Sequence, residues 1–217
     1  MSASKLIIVL DASTAQTTAL LALQAQFALA CNAIAPLVRD RHCWNRVALH
    51  HLVYQSLRES FPHLGSQMAC NVIYSVSRTA RLVYQHPQSP WNLLHKPDQT
   101  LPLLRFLPGS PVYFDRHTLS IKEGQMSLFT LDGRMRFQLN LGAADALRFR
   151  VQKLREIVLS QREERFTLQF SFAEAADLAR EGVAEWAELP EYLIVQPSNP
   201  PLGAAAAPEL YEMQFAA

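Results

Sequence analysis

Residues 45–85 carry the most regular pattern of apolar and polar positions in the chain, and this pattern predicts two helices. In both halves of the stretch apolar side chains recur three and four residues apart, which is the spacing of one buried helix face. The segment 61–65, FPHLG, interrupts the pattern, and Ser66 is placed to cap the second helix. The predicted buried positions are Leu49, Leu52, Val53, Leu57, Ala69, Val72, Ile73, Val76, Ala80 and Val83.

Shorter patterns surround this helical pair. The apolar run Lys5–Leu10 predicts a strand, and Ser13 or Thr14 begins a long Ala/Leu/Gln helix that ends near Pro36. From Leu103 the period changes to two, which predicts strands joined by hairpin turns at Glu123-Gly124 and Asp132-Gly133. The predicted strands are Leu104–Phe106, Val112–Phe114, Thr118–Lys122, Met126–Leu131 and Arg134–Asn140.

The C-terminal third of the chain predicts further elements and a tail. The pattern indicates a basic helix over Leu147–Ser160, a strand over Phe166–Phe170, an acidic helix over Ala173–Ala187 and a strand over Tyr192–Val195. Residues 197–208 form a linker rich in Pro and Ala. The end of the chain, ELYEMQF at residues 209–215, is either a disordered tail or a docking peptide for a partner.

Composition is that of a folded soluble protein, and the charge is unevenly distributed. Hydrophobic residues make up 49% and charged residues 18% of the chain. Residues 1–160 hold 17 Lys and Arg against 9 Asp and Glu, whereas residues 161–217 hold 3 against 10. A basic body with an acidic C-terminal part is typical of a nucleic-acid binder with an appended acidic segment. The three cysteines form no pair motif and indicate reduced thiols in a cytoplasmic protein.

Sequence motifs of common catalytic sites are missing. The chain contains no nucleophile elbow, Walker loop or dinucleotide fingerprint. His42-Cys43 and His50-His51 cluster, but their spacing matches no zinc pattern. We therefore predict no metal site and no cofactor. The apolar run Leu20–Leu37 is interrupted by Gln24, Gln26, Asn32 and Pro36, which favours a buried core helix over a membrane span.

The predicted helical pair presents polar faces suited to a nucleic-acid groove. Amide side chains can hydrogen-bond base edges, and guanidinium groups can hold phosphates. The first helix carries a polar flank with a period of four: Arg46, His50, Tyr54 and Arg58. We predict DNA contacts for Tyr54, Arg58, Gln67, Asn71, Ser75, Arg78 and Arg81. The alternative is a pair of ordinary amphipathic helices with solvated outer faces.

The predicted sheet has one basic face. On its last strand Met135, Phe137 and Leu139 alternate with arginine and glutamine, so that one face packs and the other presents polar groups. A curved antiparallel sheet with a basic face is similar to an oligonucleotide-binding barrel, and a half-exposed meander is the alternative. We predict RNA contacts for Arg105, Arg116, Lys122, Arg134, Arg136, Arg148 and Arg150.

The pattern over roughly residues 5–140 resembles a known family. Leu49-His50-x-x-Val53-Tyr54-x-x-Leu57-Arg58, followed by the helix start Ser66-Gln67-Met68, resembles the recognition lobe of transposon-encoded TnpB proteins and miniature type V CRISPR effectors. The resemblance continues through Phe114-Asp115-Arg116 and Leu131-Asp132-Gly133-Arg134. Those families are RNA-guided DNA nucleases, whose RuvC-like domain holds two divalent ions with three carboxylates. Carboxylates in that arrangement are not found after Tyr192–Val195.

The resemblance implies an α+β fold in which a helical recognition lobe is inserted into a small antiparallel oligonucleotide-binding-like barrel. Residues 1–11 would supply the first barrel strand, 12–100 the helical lobe, 101–196 the remaining barrel with helical additions, and 197–217 the linker and tail. In the resembling family this lobe contributes to reading the short motif beside the target.

The implied function is a guide-RNA-binding, DNA-recognising subunit of an RNA-guided complex without nuclease activity of its own. Its expected partners are guide RNA, a target DNA duplex and other protein subunits, such as a separate nuclease chain or a second copy. No membrane partner is expected, and the expected location is a prokaryotic-type cytoplasm, on the nucleoid when DNA is bound. The alternative is an assembly subunit whose acidic C-terminal part docks a partner chain.

Overall fold

The structure is a computed structural model and describes residues 4–93, 100–122, 124–173 and 189–196. Within these ranges the helices are α1 (Thr14–Asp40), α2 (Arg46–Ser60), α3 (Gly65–Gln85) and α4 (Ala143–Val151), with a short 3-10 helix at Pro62–Leu64. The strands are β1 (Ser4–Val9), β2 (Leu103–Phe106), β3 (Val112–Phe114), β4 (Leu119–Lys122), β5 (Gln125–Thr130), β6 (Gly133–Gln138), β7 (Lys153–Arg162), β8 (Arg165–Ala173) and β9 (Leu193–Gln196).

Helices α1 and α2 begin where side chains satisfy their first backbone N–H groups. Ser13 and Gln16 form a reciprocal capping box at the start of α1. The Asn45 side chain accepts hydrogen bonds from the backbone N–H groups of Val47 and Ala48 at the start of α2. The predicted cap Ser66 is wrong, because α3 already begins at Gly65 and its N-cap position, Leu64, makes no side-chain hydrogen bond.

The side-chain cap of α2 and its absence at the start of α3 give a testable prediction. Asn45→Ala removes the acceptor of two backbone N–H groups and should lower the free energy of unfolding by about 1 kcal/mol. Ser66→Ala is the matched control and should stay within about 0.5 kcal/mol of the parent chain. Urea unfolding of both variants measures the difference, and a larger loss for Ser66→Ala would contradict the assignment of the caps.

The corner between α2 and α3 requires a glycine. Gly65 has a φ of +68°, a backbone conformation that side chains with a Cβ rarely adopt. A Cβ atom at this position would also lie 3.3 Å from Cζ of Phe129 on β5. The corner therefore rests directly on the three-stranded sheet, and this contact fixes where the N-terminal end of α3 lies.

The strands form three antiparallel sheets, so the predicted α+β class is confirmed. Their orders are β1-β8-β7-β3, β2-β9 and β4-β5-β6, and none of the three is closed into a barrel. A hairpin joins β5 and β6 as predicted, but its turn residues are Leu131 and Asp132, since Thr130 pairs with Gly133 and Gly133 begins β6. At the other predicted hairpin Gly124 has a φ of +76°, while Glu123 lies outside the described residues.

One predicted element is wrong. The pattern over Leu147–Ser160 predicted a single basic helix, but α4 ends at Val151 and β7 begins at Lys153. Strand β7 pairs with both β8 and β3, and Ile157 and Leu159 are buried between them. Long-range backbone pairing on two sides therefore outweighs the local helix propensity of this segment.

Helices and sheets share one hydrophobic core. It joins Phe27 of α1 and Val76 of α3 to Phe170 of β8, among many others. All six predicted apolar positions of α3 are buried, whereas Leu52 of α2, predicted to be buried, is 52% exposed. Helix α1 is long and apolar enough to cross a membrane, and half of its most apolar window is buried in the core.

Helix α1 is longer than predicted, and two predicted segments fall mostly outside the described residues. Helix α1 continues through Pro36 to Asp40, beyond the end predicted for it. Of the predicted acidic helix over Ala173–Ala187 only Ala173 is described, as the last residue of β8. Residues 174–188 and the tail from 197 to 217 lie outside the described residues. The proposed division into domains stays a prediction.

Candidate nucleic-acid interface

The outer face of the sheet β4-β5-β6 is polar and basic. The strand register places Lys122 beside Gln125 and Gln125 beside Gln138, while Ser127 lies beside Arg136. Arg134 lies opposite Phe129 at the other end of the sheet. The inner face carries the buried side chains of Leu119, Met126, Leu128 and Phe137. The predicted alternation of a packed face and a basic face is confirmed for this sheet.

The two arginines of β6 differ in their freedom. Arg134 donates from Nη2 to the carbonyl oxygen of His117 at 2.6 Å and from Nη1 to the carbonyl oxygen of Ser127 at 3.3 Å. Nη1 is also 3.4 Å from Oγ of Ser127. For Arg136 the backbone carbonyl accepts a hydrogen bond from Gln16 of α1, and the side chain is exposed. Arg134 is thus held in place at the surface, whereas the Arg136 side chain can follow a ligand.

A tight turn after β3 carries Arg116 outward. The Asp115 carboxylate accepts hydrogen bonds from the backbone N–H groups of His117 and Thr118, both at 3.0 Å. Its second oxygen accepts from the Gln67 side chain of α3. Asp115 therefore fixes both the turn and its position against α3, and it leaves Arg116 and His117 exposed beside Arg134.

The predicted reading face of α3 is wrong at two positions. Asn71 and Ser75 are only 4% and 3% exposed, because α3 packs against other elements on this side as well. The Asn71 amide lies 3.4 Å from the Thr118 hydroxyl. Ser75 hydrogen-bonds the thiol of Cys31. Burial raises the pKa of this thiol, and the bond to Ser75 offsets only a smaller part of the rise. Their polarity serves the packing of α3, and neither residue is accessible to DNA.

We predict a structural effect for Asn71→Ala. Loss of the amide leaves the buried hydroxyl of Thr118 with one partner fewer, so the free energy of unfolding should fall by about 1–2 kcal/mol. Arg81→Ala, on an exposed position of the same helix, should change it by less than about 0.5 kcal/mol. An Asn71→Ala variant with unchanged stability in urea would contradict this role.

Arg78 is held by a cluster of polar side chains. Its Nε atom lies 3.2 Å from Oε1 of Glu156 on β7, which also accepts a hydrogen bond from the Tyr74 hydroxyl at 2.8 Å. The guanidinium carbon is 5.9 Å from the ring centre of Tyr113. Burial and the Glu156 carboxylate raise the pKa of Tyr74 to about 12. Burial alone would lower the pKa of Arg78, but Tyr113 and Glu156 raise it, so the guanidinium stays charged.

The polar flank of α2 combines cations with aromatic rings. The Arg46 guanidinium carbon lies 5.2 Å from the ring centre of Tyr74. The rings of His50 and Tyr54 stack with centres 4.6 Å apart and planes at 20°. Arg58 is half-buried, and its Nη1 atom has no hydrogen-bond partner among the described residues. Such a flank can offer both charge and ring faces to a nucleic acid.

A chain of contacts joins this flank to the basic sheet. Arg46 lies over Tyr74. Tyr74 and Gln67 lie two turns apart on α3. The Gln67 side chain on α3 donates a hydrogen bond to Asp115. In the turn that Asp115 begins, the carbonyl oxygen of His117 accepts a hydrogen bond from Arg134. We call the resulting patch the cationic surface, defined as Arg46, His50, Tyr54, Arg58, Arg116, His117, Lys122, Arg134 and Arg136.

The other predicted contacts fall on separate elements. Arg105 is exposed on β2, within the two-stranded sheet β2-β9. Arg148 and Arg150 lie on α4, where Arg148 is 3.9 Å from the Asp145 carboxylate. Sequence reasoning assigned no role to His117 or Glu156. The period-two pattern of β5 already places Ser127 on the same face as the arginines of β6. No local sequence pattern indicates that Glu156 contacts α3.

Comparisons and metal-binding groups add no further assignment. No protein-family model matches the chain, and no curated protein matches it either. Within the described ranges no group of three or more His, Cys, Asp and Glu side chains is arranged to hold a metal ion.

Proposed function

We propose that this protein binds a guide-type RNA and recognises DNA as a non-cutting subunit of an RNA-guided complex. The observation that carries the proposal is that α3 holds both parts of the cationic surface in place, with Arg46 over Tyr74 at one end and Gln67 bonded to Asp115 at the other. The sequence resemblance to TnpB proteins and miniature type V effectors supports it independently. Cleavage, where it occurs, would come from a separate chain.

The sheet end of the cationic surface suits an RNA backbone. Arg134 uses three of its five N–H groups within the protein and leaves two for a phosphate. Because the side chain is already ordered, binding costs little side-chain entropy. Arg136 and Arg116 are exposed nearby, and Lys122 is exposed at the opposite end of the same sheet, so all three add charge.

The helical end suits DNA. Tyr54 and Arg58 lie on the polar flank of α2, with Arg46 and His50 on the same flank. Arg81 is exposed on α3. Gln67 and Arg78 act here as positioning residues, since their side chains already bond Asp115 and Glu156.

We infer further that the sheets are parts of an incomplete antiparallel barrel of the oligonucleotide-binding type, with the helices as an insertion. Strand β1 pairs with β8, although α1, α2 and α3 lie between them in the chain. The inner faces of β1-β8-β7-β3 and β4-β5-β6 contribute to the same core. The Gln16 side chain connects the β6 backbone to the helix that follows β1.

The test is to purify the protein from cells that carry its native locus and to sequence any bound RNA. We expect one RNA species of defined sequence, retained at moderate salt and released at high salt because phosphate contacts are screened. Protein that purifies free of nucleic acid from these cells would contradict the proposal.

The control exchanges two arginines outside the cationic surface. Arg162 and Arg165 flank the turn between β7 and β8 and are exposed. The variant Arg162→Ala with Arg165→Ala has the same net charge as a double exchange on β6, and it should retain the RNA.

A further inference from the structure

Strand β1 is an open sheet edge with an apolar outer surface. It lies at the end of the order β1-β8-β7-β3 and has no strand on its second side among the described residues. Ile7 and Val9 are 59% and 55% exposed, which is unusual for side chains of this size. The strand contains no proline, and Lys5 is its one charged residue, so the edge has few of the features that normally block strand pairing.

The backbone of β1 offers free hydrogen-bonding groups. The Leu10 N–H group donates to the Phe166 carbonyl on β8 at 2.8 Å. Because successive residues of a strand point to opposite sides, the N–H groups of Ile8 and Leu6 also point toward β8. The N–H groups of Ile7 and Val9 point to the open side, where another strand could accept them.

An open cavity adjoins the end of this edge. It measures about 400 Å³ and borders Val9, Leu10 and Phe166, of which only Val9 is exposed. Asp11, Glu164 and Arg165 also line it. Although most of its lining is polar, a cavity of this size has room for one aromatic ring from a strand that pairs with β1.

A segment of the same chain has the pattern of such a strand. In ELYEMQF, residues 209–215, the apolar side chains of Tyr211, Met213 and Phe215 alternate with Leu210, Glu212 and Gln214. A period of two is typical of a strand with one apolar face. Placed beside β1, that face would cover Ile7 and Val9, and an aromatic residue at one end would reach the cavity.

The connecting chain is long enough for this pairing. Residues 197–208 separate β9 from the segment and can span about 40 Å when extended. A compact body of about 200 residues has a radius of gyration of about 16 Å, so this length reaches most of its surface. Because the segment is tethered by only twelve residues, its effective concentration at the edge is high, on the order of millimolar.

The size of the edge favours a tethered segment over a second copy. Pairing two six-residue β1 strands would bury far less than the roughly 1,200 Å² typical of stable interfaces. We therefore propose that residues 209–215 pair with the open edge of β1 in the same molecule. This proposal is independent of RNA or DNA binding.

Residue-resolved amide hydrogen exchange on the full chain tests the pairing. The amides of Ile7 and Val9 should exchange at least about tenfold more slowly than expected for unpaired surface groups. Met213→Pro removes a backbone donor from the middle of the segment and should abolish this protection. Ala205→Pro, in a linker that is already rich in proline, is the matched control and should leave the protection unchanged.

Protein dilution distinguishes pairing within one molecule from pairing between two copies. Protection of Ile7 and Val9 that falls on tenfold dilution would assign the edge to a second copy and overturn the proposal. Fast exchange in the parent chain, or protection that survives Met213→Pro, would overturn it as well. Slow exchange that is independent of protein concentration and sensitive only to Met213→Pro would support it.

Discussion

Replacing Arg134 and Arg136 together by alanine is expected to weaken RNA binding by about 10- to 100-fold. Each guanidinium group is expected to make one phosphate contact worth about 1 kcal/mol or more. Both side chains lie on the outer face of β6, and Arg134 is already ordered by His117 and Ser127. Loss of two phosphate contacts should also lower the salt slope of the association constant by about 1.4.

Fluorescence anisotropy with the copurified RNA at several salt concentrations measures both effects. The variant Arg162→Ala with Arg165→Ala removes the same charge from the β7–β8 hairpin and should bind RNA almost as the parent chain does. A similar loss in both double variants would point to net charge alone, and an unchanged salt slope for the β6 variant would refute the assignment.

Single lysine exchanges sharpen the test. Arg134 contacts His117 and Ser127 through two different nitrogen atoms, a geometry that a lysine ammonium group cannot reproduce. Arg134→Lys should therefore weaken binding clearly. Arg136→Lys should have little effect, because that exposed side chain supplies charge without a fixed geometry.

Replacing Glu156 by alanine is expected to lower the free energy of unfolding by about 2–3 kcal/mol. The Glu156 side chain is 16% exposed and pairs with Arg78, which is 36% exposed, so the loss should be smaller than the roughly 3–5 kcal/mol of a fully buried pair. The exchange also leaves the Tyr74 hydroxyl without its acceptor. Urea unfolding followed by circular dichroism measures the change.

Two variants separate the charge of Glu156 from its hydrogen bonds. Glu156→Gln keeps an oxygen acceptor for Tyr74 and should cost only about 1 kcal/mol. In a double-mutant cycle, Arg78→Ala combined with Glu156→Ala should cost less than the sum of the single exchanges by about 1 kcal/mol. Additive losses would mean that the pair contributes no coupling between α3 and β7.

Gln67 and Asn71 show why the predicted DNA contacts needed the tertiary structure. Both stand opposite the main apolar stripe of α3, where a sequence pattern indicates solvent. Gln67 instead bonds Asp115, and Asn71 is buried beside Thr118. A helix that is covered on two sides needs polar groups that find partners inside the protein, and those partners lie more than 40 residues away.

The sequence by itself determined the features that depend on local periodicity. The extent of α2 and α3, the α+β class, the presence of a hairpin between β5 and β6 and the basic outer face of β6 follow from spacing and turn chemistry within a few residues. For these features the structure agrees with the prediction from the sequence, because interactions between neighbouring residues determine them.

Only the tertiary structure decided which elements meet. The pairing of β1 with β8, the strand β7 in place of a predicted helix, and the ion pair between Arg78 and Glu156 all join distant segments. The position of the turn after β3 against α3 depends in the same way on the contact between Gln67 and Asp115. Such arrangements depend on burial and pairing in three dimensions, and the same local pattern is compatible with several of them.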